Sequence, residues 1–139
     1  MTAPEATIDA AFPAPQPNET AAPYWRALAA GRLEFQQCTS CNHAWLPPHS
    51  ECPRCLSTEF QWASASGNAK LVSWVVYHHG YHGYYAARLP YNVAVVELAE
   101  GPRLISNVVG AQDRLRIDMP LTLVIQRESG VALARFKPA

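Results

Sequence analysis

The chain has 139 residues, a hydrophobic share of 49% and a formal net charge of zero, from 11 Lys and Arg against 11 Asp and Glu. This length suits one domain, or one small domain beside a very small one. The charge balance gives no general attraction to nucleic acid or to an anionic membrane, and no stretch reaches the roughly 18–20 apolar residues of a membrane span.

The chain begins with the segment MTAPEATIDAAFPAPQP. This segment has neither a basic start nor a continuous apolar core, so it does not resemble a secretory signal. Proline is frequent and large apolar side chains are scarce, which predicts a flexible tail over residues 1–22. Without a signal, the cytoplasm is the expected location, and paired cysteines there favour metal binding over disulfides.

A short helix is predicted over residues 23–30, because Pro23 stands at its start and Gly31 just after its end. A helix of this length is not stable alone, so it must dock on its own domain or on a partner. Its apolar face is predicted to carry Trp25, Leu28 and Ala29. The candidate side chains for docking on a partner are Tyr24, Trp25 and Leu28.

Four cysteines form two pairs, and each pair has the spacing C-x-x-C. A gap of two residues lets both sulfurs of a pair face one point, about 2.3 Å from a tetrahedral zinc. The intervening segment, 42–51, is long enough for a hairpin that brings the second pair across. The pattern predicts one zinc ion, with iron, a redox dithiol or a chance spacing as the alternatives. The predicted ligands are Cys38, Cys41, Cys52 and Cys55.

A metal held by four thiolates has no open coordination position, so this zinc is expected to be structural. Its binding energy, on the order of 10–16 kcal/mol, would fold a segment that has little apolar mass of its own. His43 and His49 lie nearby and are the other side chains able to ligate it. Asn42 suits the left-handed turn that often follows such a pair, whereas Leu56 does not. Since every cysteine is used, none is left as a nucleophile, and no catalytic residue is predicted.

After residue 62, runs rich in β-branched and aromatic residues alternate with turn-like segments. This pattern suggests a small Greek-key barrel over residues 63–139, with separate sheets as the alternative. The predicted strands cover residues 70–78, 91–99, 103–109, 121–127 and 131–136.

The segment 77–85 is dense in tyrosine, histidine and glycine. At a barrel mouth such a loop can contact a ligand or a partner. Ordinary loop packing and acid–base catalysis are the alternatives, although no Asp or Glu lies within the loop to orient an imidazole. The candidate contact residues are Tyr77, His78, His79, Tyr81, His82, Tyr84 and Arg88. Candidate phosphate contacts, each also explained as a solvated surface side chain, are Arg88, Arg103, Arg114 and Arg116.

Several motifs follow one another in a characteristic order along residues 23–138. The first are the short helix with Tyr24 and Trp25, the segment GRLEFQQC at 31–38, and Pro47-Pro48. The later ones are CPRC at 52–55, PYNVAVVEL at 90–98, EGPRL at 100–104, LRIDMP at 115–120 and RFKP at 135–138. In this succession the chain resembles the acyl-CoA-associated zinc-ribbon/OB-fold family.

The resemblance implies a mainly β fold, in which a short helix and a rubredoxin-like zinc ribbon (23–62) precede a five-stranded OB-fold barrel (63–139). It also implies a non-catalytic accessory subunit in a hetero-oligomer with a thiolase-fold protein, such as a retro-aldolase, thiolase or acyltransferase. The partner would supply the catalytic groups, and this chain a scaffold that lines part of the acyl-CoA path. Members of the family commonly have glycine where this chain has Asp118, and a small residue where it has Leu56.

Two other functions compete with this interpretation. One is a stand-alone acyl-CoA-binding or hydrolytic protein that uses His and Arg of residues 77–88. The other is a single-stranded nucleic-acid binder, because OB barrels stack bases on exposed aromatic side chains. The absence of a basic groove from the sequence argues against nucleic acid.

Overall fold

The structure is a computed structural model that describes residues 11–139. The helices are α1 (Ala22–Ala29) and α2 (Gly83–Ala86). The strands are β1 (Glu34–Cys38), β2 (Ala44–Trp45), β3 (Phe60–Ser64), β4 (Asn68–Tyr77), β5 (Tyr91–Leu98), β6 (Arg103–Ser106), β7 (Pro120–Glu128) and β8 (Val131–Pro138). The prediction of a mainly β fold with a short helix ahead of a ribbon and a barrel is confirmed.

Helix α1 has the expected signals at its two ends. Pro23 lies in the first turn, where its missing N–H removes no helical hydrogen bond. At the other end Gly31 adopts φ +89°, and the N–H of Arg32 donates to the carbonyl of Ala27 at 2.8 Å. This is the Schellman arrangement, which needs the left-handed conformation that glycine adopts without strain.

The buried face of α1 differs from the predicted one. Ala27 and Leu28 are buried, whereas Ala29 is exposed, because the helix docks on β8 and β1 through the positions that share a face with Tyr24. Leu28 has no exposed surface and packs into the protein's own core, so its assignment to partner docking is corrected. Trp25 remains half-buried at the surface.

The ribbon is a small antiparallel sheet with the strand order β2-β1-β3. Its central strand, β1, carries the buried Gln36. The side-chain amide of Gln36 donates to the carbonyl of His49 and accepts from its N–H, both at 2.8 Å. This double hydrogen bond fixes the segment around Pro47 and Pro48 against the sheet, since each polar group of the buried amide is satisfied by backbone.

The barrel is a five-stranded sheet with the order β6-β5-β4-β7-β8 and antiparallel neighbours. An irregularity in β4 between Leu71 and Ser73 bends the strand. The barrel closes where the chain after β6 runs parallel to β8, with Val108 paired to Phe136. All five barrel strands therefore lie in one sheet, rather than in separate sheets.

One hydrophobic core joins the helix, the first ribbon strand and the barrel. Leu28 and Leu33 are fully buried beside barrel residues such as Leu71 and Phe136. A second, smaller cluster lies in the ribbon around Trp45 and two cysteines. The helix and ribbon are thus packed on the barrel. The division into domains at residues 62 and 63 remains a proposal, and it falls within β3, whose residues 63–64 still pair with β1 of the ribbon.

Part of the predicted tail, residues 1–10, lies outside the described residues. Residues 11–21 lead into α1 without a helix or strand. Among the described residues, no helix combines the length and apolar character that a membrane crossing requires.

Candidate functional site

The four cysteine sulfurs converge at one point of the ribbon. The Sγ atoms of Cys38 and Cys55 are 3.6 Å apart, as are those of Cys41 and Cys52, and all four lie within 4.8 Å of one another. Four sulfurs about 2.3 Å from a tetrahedral zinc are separated by about 3.8 Å, so the cage fits this ion. Within residues 11–139 these cysteines form the only group of three or more candidate ligands that could hold a metal.

Hydrogen bonds from backbone N–H groups favour the thiolate form of two of these sulfurs. The N–H groups of Cys41 and Ser40 donate to the Cys38 sulfur at 3.4 and 3.3 Å, and they lower the pKa of Cys38 to about 6. Burial opposes ionisation of Cys52, yet N–H groups of Cys55 and Arg54 outweigh it and lower its pKa. Thiolates are the form that binds zinc, so these bonds favour the metal.

The pKa of Cys55 shows why the four sulfurs need a cation between them. The N–H of Ser57 favours a thiolate at Cys55. However, desolvation and the other three sulfurs outweigh this bond and raise the pKa of Cys55 to about 12 in the metal-free chain. Like charges at this separation cannot all ionise unless a positive ion offsets them. A bound Zn²⁺ would hold the four thiolates together and leave no coordination position for substrate.

The two turns around the metal share one backbone geometry. In each, the N–H four residues after the first cysteine donates back to it: Asn42 to Cys38 at 3.0 Å, and Leu56 to Cys52 at 2.9 Å. Both residues have left-handed backbones, with φ 69° at Asn42 and 66° at Leu56. Leucine is strained in this conformation, and its side chain is 73% exposed.

We therefore expect Leu56→Gly to stabilise the zinc-loaded chain by about 1 kcal/mol, because glycine adopts a positive φ without a Cβ clash. Chemical denaturation with zinc in excess measures the change. Asn42→Gly is the matched control, because asparagine already tolerates the same backbone, and its effect should be near zero. A loss of stability in Leu56→Gly would show that the leucine side chain, rather than the turn, dominates at this position.

Neither nearby histidine reaches the sulfurs as a ligand. His43 stacks on Trp45, with ring centroids 6.2 Å apart, and its backbone carbonyl accepts from the N–H of Cys38 at 2.8 Å. His49 makes a 2.8 Å hydrogen bond from Nδ1 to the carbonyl of Pro47. The two imidazoles support the fold around the metal instead.

The tyrosine- and histidine-rich segment forms a short helix where the sequence predicted only a loop. His82 accepts from the N–H of Tyr84 through Nδ1 at 3.1 Å and so caps α2. Gly80 packs against this turn, and a Cβ placed on it would lie 2.4 Å from the Cα of Ala86. Glycine is therefore required at residue 80 because the two backbones approach so closely.

Tyr84 is the best-anchored residue of this segment. Its hydroxyl donates to Glu128 at the end of β7, which also pairs with Arg135 of β8. The guanidinium of Arg88 lies 3.6 Å from the centre of the Tyr84 ring, a cation–π contact. The hydrogen bond to Glu128 raises the pKa of Tyr84. Burial opposes the charge on Glu128, but hydrogen bonds from Tyr84 and Arg135 outweigh it and lower its pKa.

The sequence singled out Tyr84 and Arg88 as candidate contact residues, but it gave no indication that Glu128 and Arg135 lie beside them. The missing carboxylate comes from a strand 44 residues further along the chain, and no local pattern relates the two positions. It contacts a tyrosine rather than an imidazole, so this contact orients α2 and supplies no acid–base pair.

We expect Glu128→Gln to destabilise the chain by about 1–3 kcal/mol, because a half-buried Arg135 loses its charge partner and the neutral amide offers one acceptor oxygen where the carboxylate offered two. Urea unfolding of the zinc-loaded chain measures the effect. Asp113→Asn is the control, because Asp113 is almost fully exposed and its contact with Arg114 is long, at 4.0 Å. This variant should change stability by less than about 0.5 kcal/mol. Equal effects from both variants would contradict an organising role for Glu128.

The remaining candidates of this segment lie at the surface. Tyr77 contacts the rings of Tyr81 and Tyr91 at 6.0 and 5.2 Å, and His79 lies edge-on to Tyr81 at 4.6 Å. The three histidines do not converge on a metal site in the described part of the chain. The exposed members of the segment are His78, His79, Tyr81, His82 and Arg88.

The arginines considered for phosphate binding are spread over the surface. Arg103 pairs with Glu97 at 2.8 Å, and Arg114 lies beside Asp113. They form no shared cluster with Arg88, whose guanidinium packs on the Tyr84 ring and is still exposed at the surface.

An apolar groove of about 470 Å³ lies where helix, ribbon and barrel meet. Tyr24 and Trp25 form one wall, and burial raises the pKa of Tyr24 to about 12, so its hydroxyl stays neutral. The edge strand β6 forms another wall and presents Ile105, which is 74% exposed. The other lining residues are Leu46, Pro47, Pro48, Val95, Arg103 and Leu104.

These features define a zinc-ribbon protein with an OB-fold barrel. Its four cysteines leave the metal no coordination position for substrate, and its apolar groove lies at the surface. Two family models match the chain: the ChsH2 rubredoxin-like zinc ribbon domain over residues 25–61 and the ChsH2 C-terminal OB-fold domain over residues 62–126. The chain belongs to the ChsH2 family, and the resemblance seen in the sequence is confirmed.

Three proteins are similar to the chain over most of its length. A probable enoyl-CoA hydratase alpha subunit of Thermomonospora curvata is 37% identical over 129 residues, or 91% of this chain, which spans only 40% of that protein's length. The benzoylsuccinyl-CoA thiolase subunit BbsA of Thauera aromatica is 28% identical over 118 residues, covering 80% of each chain. A chain of the solved Ltp2-ChsH2(DUF35) aldolase superposes with a TM-score of 0.81 and 35% identity, covering 90% of this chain and 98% of its own.

Proposed function

We propose that this chain is a non-catalytic accessory subunit of a thiolase-superfamily enzyme that makes or breaks a carbon–carbon bond in an acyl-CoA. The observation that carries the proposal is the closed metal site. All four cysteines face one another, so the chain keeps neither a free thiol nor an open metal position. A protein of this composition can serve as a scaffold for a catalytic partner.

The similar proteins support the same conclusion. One is named as a thiolase subunit, and another is a chain of an aldolase complex whose fold matches almost end to end. A fold alone does not define a function, but here the match extends over nearly the whole chain. We infer a hetero-oligomer in which the partner supplies the reacting groups.

The apolar groove is the proposed docking surface for the partner. It is lined by aromatic, proline and aliphatic side chains, which are typical of interface centres. Ile105 pairs with Val95 through the sheet, and its apolar side chain stands exposed on the edge strand β6. Tyr24 and Trp25 are the other proposed contacts, and the partner is expected to insert apolar side chains between them.

The tyrosine- and histidine-rich segment is a second proposed contact region. Tyr81, His82 and Arg88 are exposed and held in place by α2 and Tyr84. If an acyl-CoA passes between the subunits, its phosphates would meet a cation at Arg88. We also propose a cytoplasmic location, because four cysteines kept as thiolates for zinc require a reducing compartment.

Co-expression with a thiolase-fold subunit from the same organism tests this function. The expected result is a complex that cleaves or forms the acyl-CoA carbon–carbon bond, whereas this chain alone gives no turnover. Loss of partner solubility or activity when this chain is omitted would support the scaffold role. Turnover by the isolated zinc-loaded chain, lost in His78→Ala, would instead support a stand-alone acyl-CoA enzyme.

A further inference from the structure

The segment before α1 lies across one face of the barrel. Its residues 12–17 read Phe-Pro-Ala-Pro-Gln-Pro and are called the strap below. Prolines at every second position stiffen the strap, which therefore loses little entropy on docking. At its start the N–H of Ala14 donates to the carbonyl of Phe12 at 2.8 Å, which makes a γ-turn centred on Pro13. Phe12 and Pro15 are half-buried, although the rest of the strap is exposed.

Phe12 anchors the strap at one end. Its ring meets the ring of Tyr84 edge-on, with centroids 5.2 Å apart and an interplanar angle of 72°. Tyr84 is itself fixed by Glu128 and by the guanidinium of Arg88. Phe12 therefore binds to a pre-organised aromatic surface, for which such contacts are most favourable.

Asn18 anchors the other end. Its side-chain oxygen accepts from the N–H of Ala21 at 2.9 Å, and its carbonyl accepts from the N–H of Ala22 at 3.0 Å. The strap is thus tied to the start of α1 through a turn. It spans the distance from the helix to α2.

A cleft of about 280 Å³ lies beneath the strap. Its floor comes from the end of β6 and from β8, with Asn107 and Leu133 among its residues. Its sides are aromatic, formed by Tyr24, Trp25 and Tyr85. OB folds bind their ligands on the second and third barrel strands beside the loops that flank them. In this chain those strands are β5 and β6, and of the two only β6 contributes to the cleft, through Ile105 and Ser106.

We propose that the proline-rich strap is a lid over this cleft, held closed by the contact of Phe12 with Tyr84. The strap supplies Phe12, Pro13 and Pro15 to the lining of the cleft, so it covers the cleft rather than filling it. The prediction that this chain contacts a partner through Tyr84 then has a structural consequence. A partner or ligand that uses the cleft must first displace Phe12.

Exchange of backbone amides in the full-length, zinc-loaded chain tests the proposal. Phe12→Ala should increase the exchange rate of the Tyr85, Ala86 and Arg88 amides by about 2- to 12-fold, the factor expected for loss of one aromatic contact. Gln16→Ala is the matched control, because Gln16 lies in the same strap with its side chain exposed, and its exchange rates should equal those of the wild type.

A second measurement separates docking from general loosening. A synthetic peptide of residues 11–18, added at millimolar concentration to the Phe12→Ala chain, should shift the NMR signals of Tyr84, Tyr85 and Trp25 and slow exchange in α2. The same peptide with Phe12→Ala should do neither. Unchanged exchange in the Phe12→Ala chain, or no response to the wild-type peptide, overturns the proposal. These experiments use the isolated chain, so their outcome does not depend on the enzyme partner.

Discussion

The Cys52→Ser variant is expected to lose its zinc and to unfold the ribbon while the barrel stays folded. Cys52 is fully buried at the centre of the small ribbon cluster, beside Trp45 and Cys38. One ligand of four carries roughly a quarter of a binding energy of about 10–16 kcal/mol, so zinc affinity should fall by about 100-fold or more. The ribbon strands have too little apolar area to hold this geometry without the metal.

Competition with a zinc chelator measures the affinity, and the NMR signal of the Trp45 indole N–H reports the ribbon because the indole is buried in the packed cluster. His43→Ala is the control, because this imidazole stacks on Trp45 without reaching the sulfurs, and it should keep one zinc per chain. Wild-type affinity in Cys52→Ser, or zinc loss in His43→Ala, would show that the ligand set differs from four cysteines.

The Ile105→Asp variant is expected to abolish assembly with the thiolase-fold partner while the chain itself remains folded. The side chain is 74% exposed on the edge strand β6, so the new carboxylate stays in water in the free chain. In the complex the same carboxylate would be buried in the apolar groove, where the lining cation, Arg103, is already paired with Glu97. Centres of such interfaces contribute about 2 kcal/mol or more, which corresponds to a loss of about 30-fold or more in affinity.

Ile117→Asp is the matched control for this experiment. Ile117 is 60% exposed and lies between β6 and β7, outside the groove lining. Surface plasmon resonance with immobilised partner compares the two variants with the wild type. If Ile117→Asp weakens binding as much as Ile105→Asp, the partner binds elsewhere and the groove is not the interface.

The sequence was most informative where function depends on spacing. Two C-x-x-C pairs predict a tetrahedral site because the spacing itself fixes where the sulfurs can meet, and the sulfurs do converge. Strand positions were also accessible, since β5 falls within the predicted run 91–99, which is rich in β-branched residues. The third barrel strand was predicted over residues 103–109, but β6 ends at Ser106. The residues after Ser106 leave β5, and Val108 pairs with β8 instead.

Contacts between distant segments were not accessible from the sequence. Nothing local relates Gln36 to His49, or Phe12 to Tyr84, because these pairs form only when separate elements pack together. The face on which α1 docks also depends on the barrel surface that receives it, which is why Ala27 rather than Ala29 is buried. The apolar groove arises from three elements at once and has no signature in any of them.

Native mass spectrometry of this chain purified together with a thiolase-fold subunit tests the central claim most directly. A hetero-oligomer carrying one zinc ion for each copy of this chain, and dissociating when the Ile105→Asp variant is used, is the predicted result. A chain that runs alone, free of metal and with thiols open to alkylation, would contradict the account of a zinc-clamped accessory subunit.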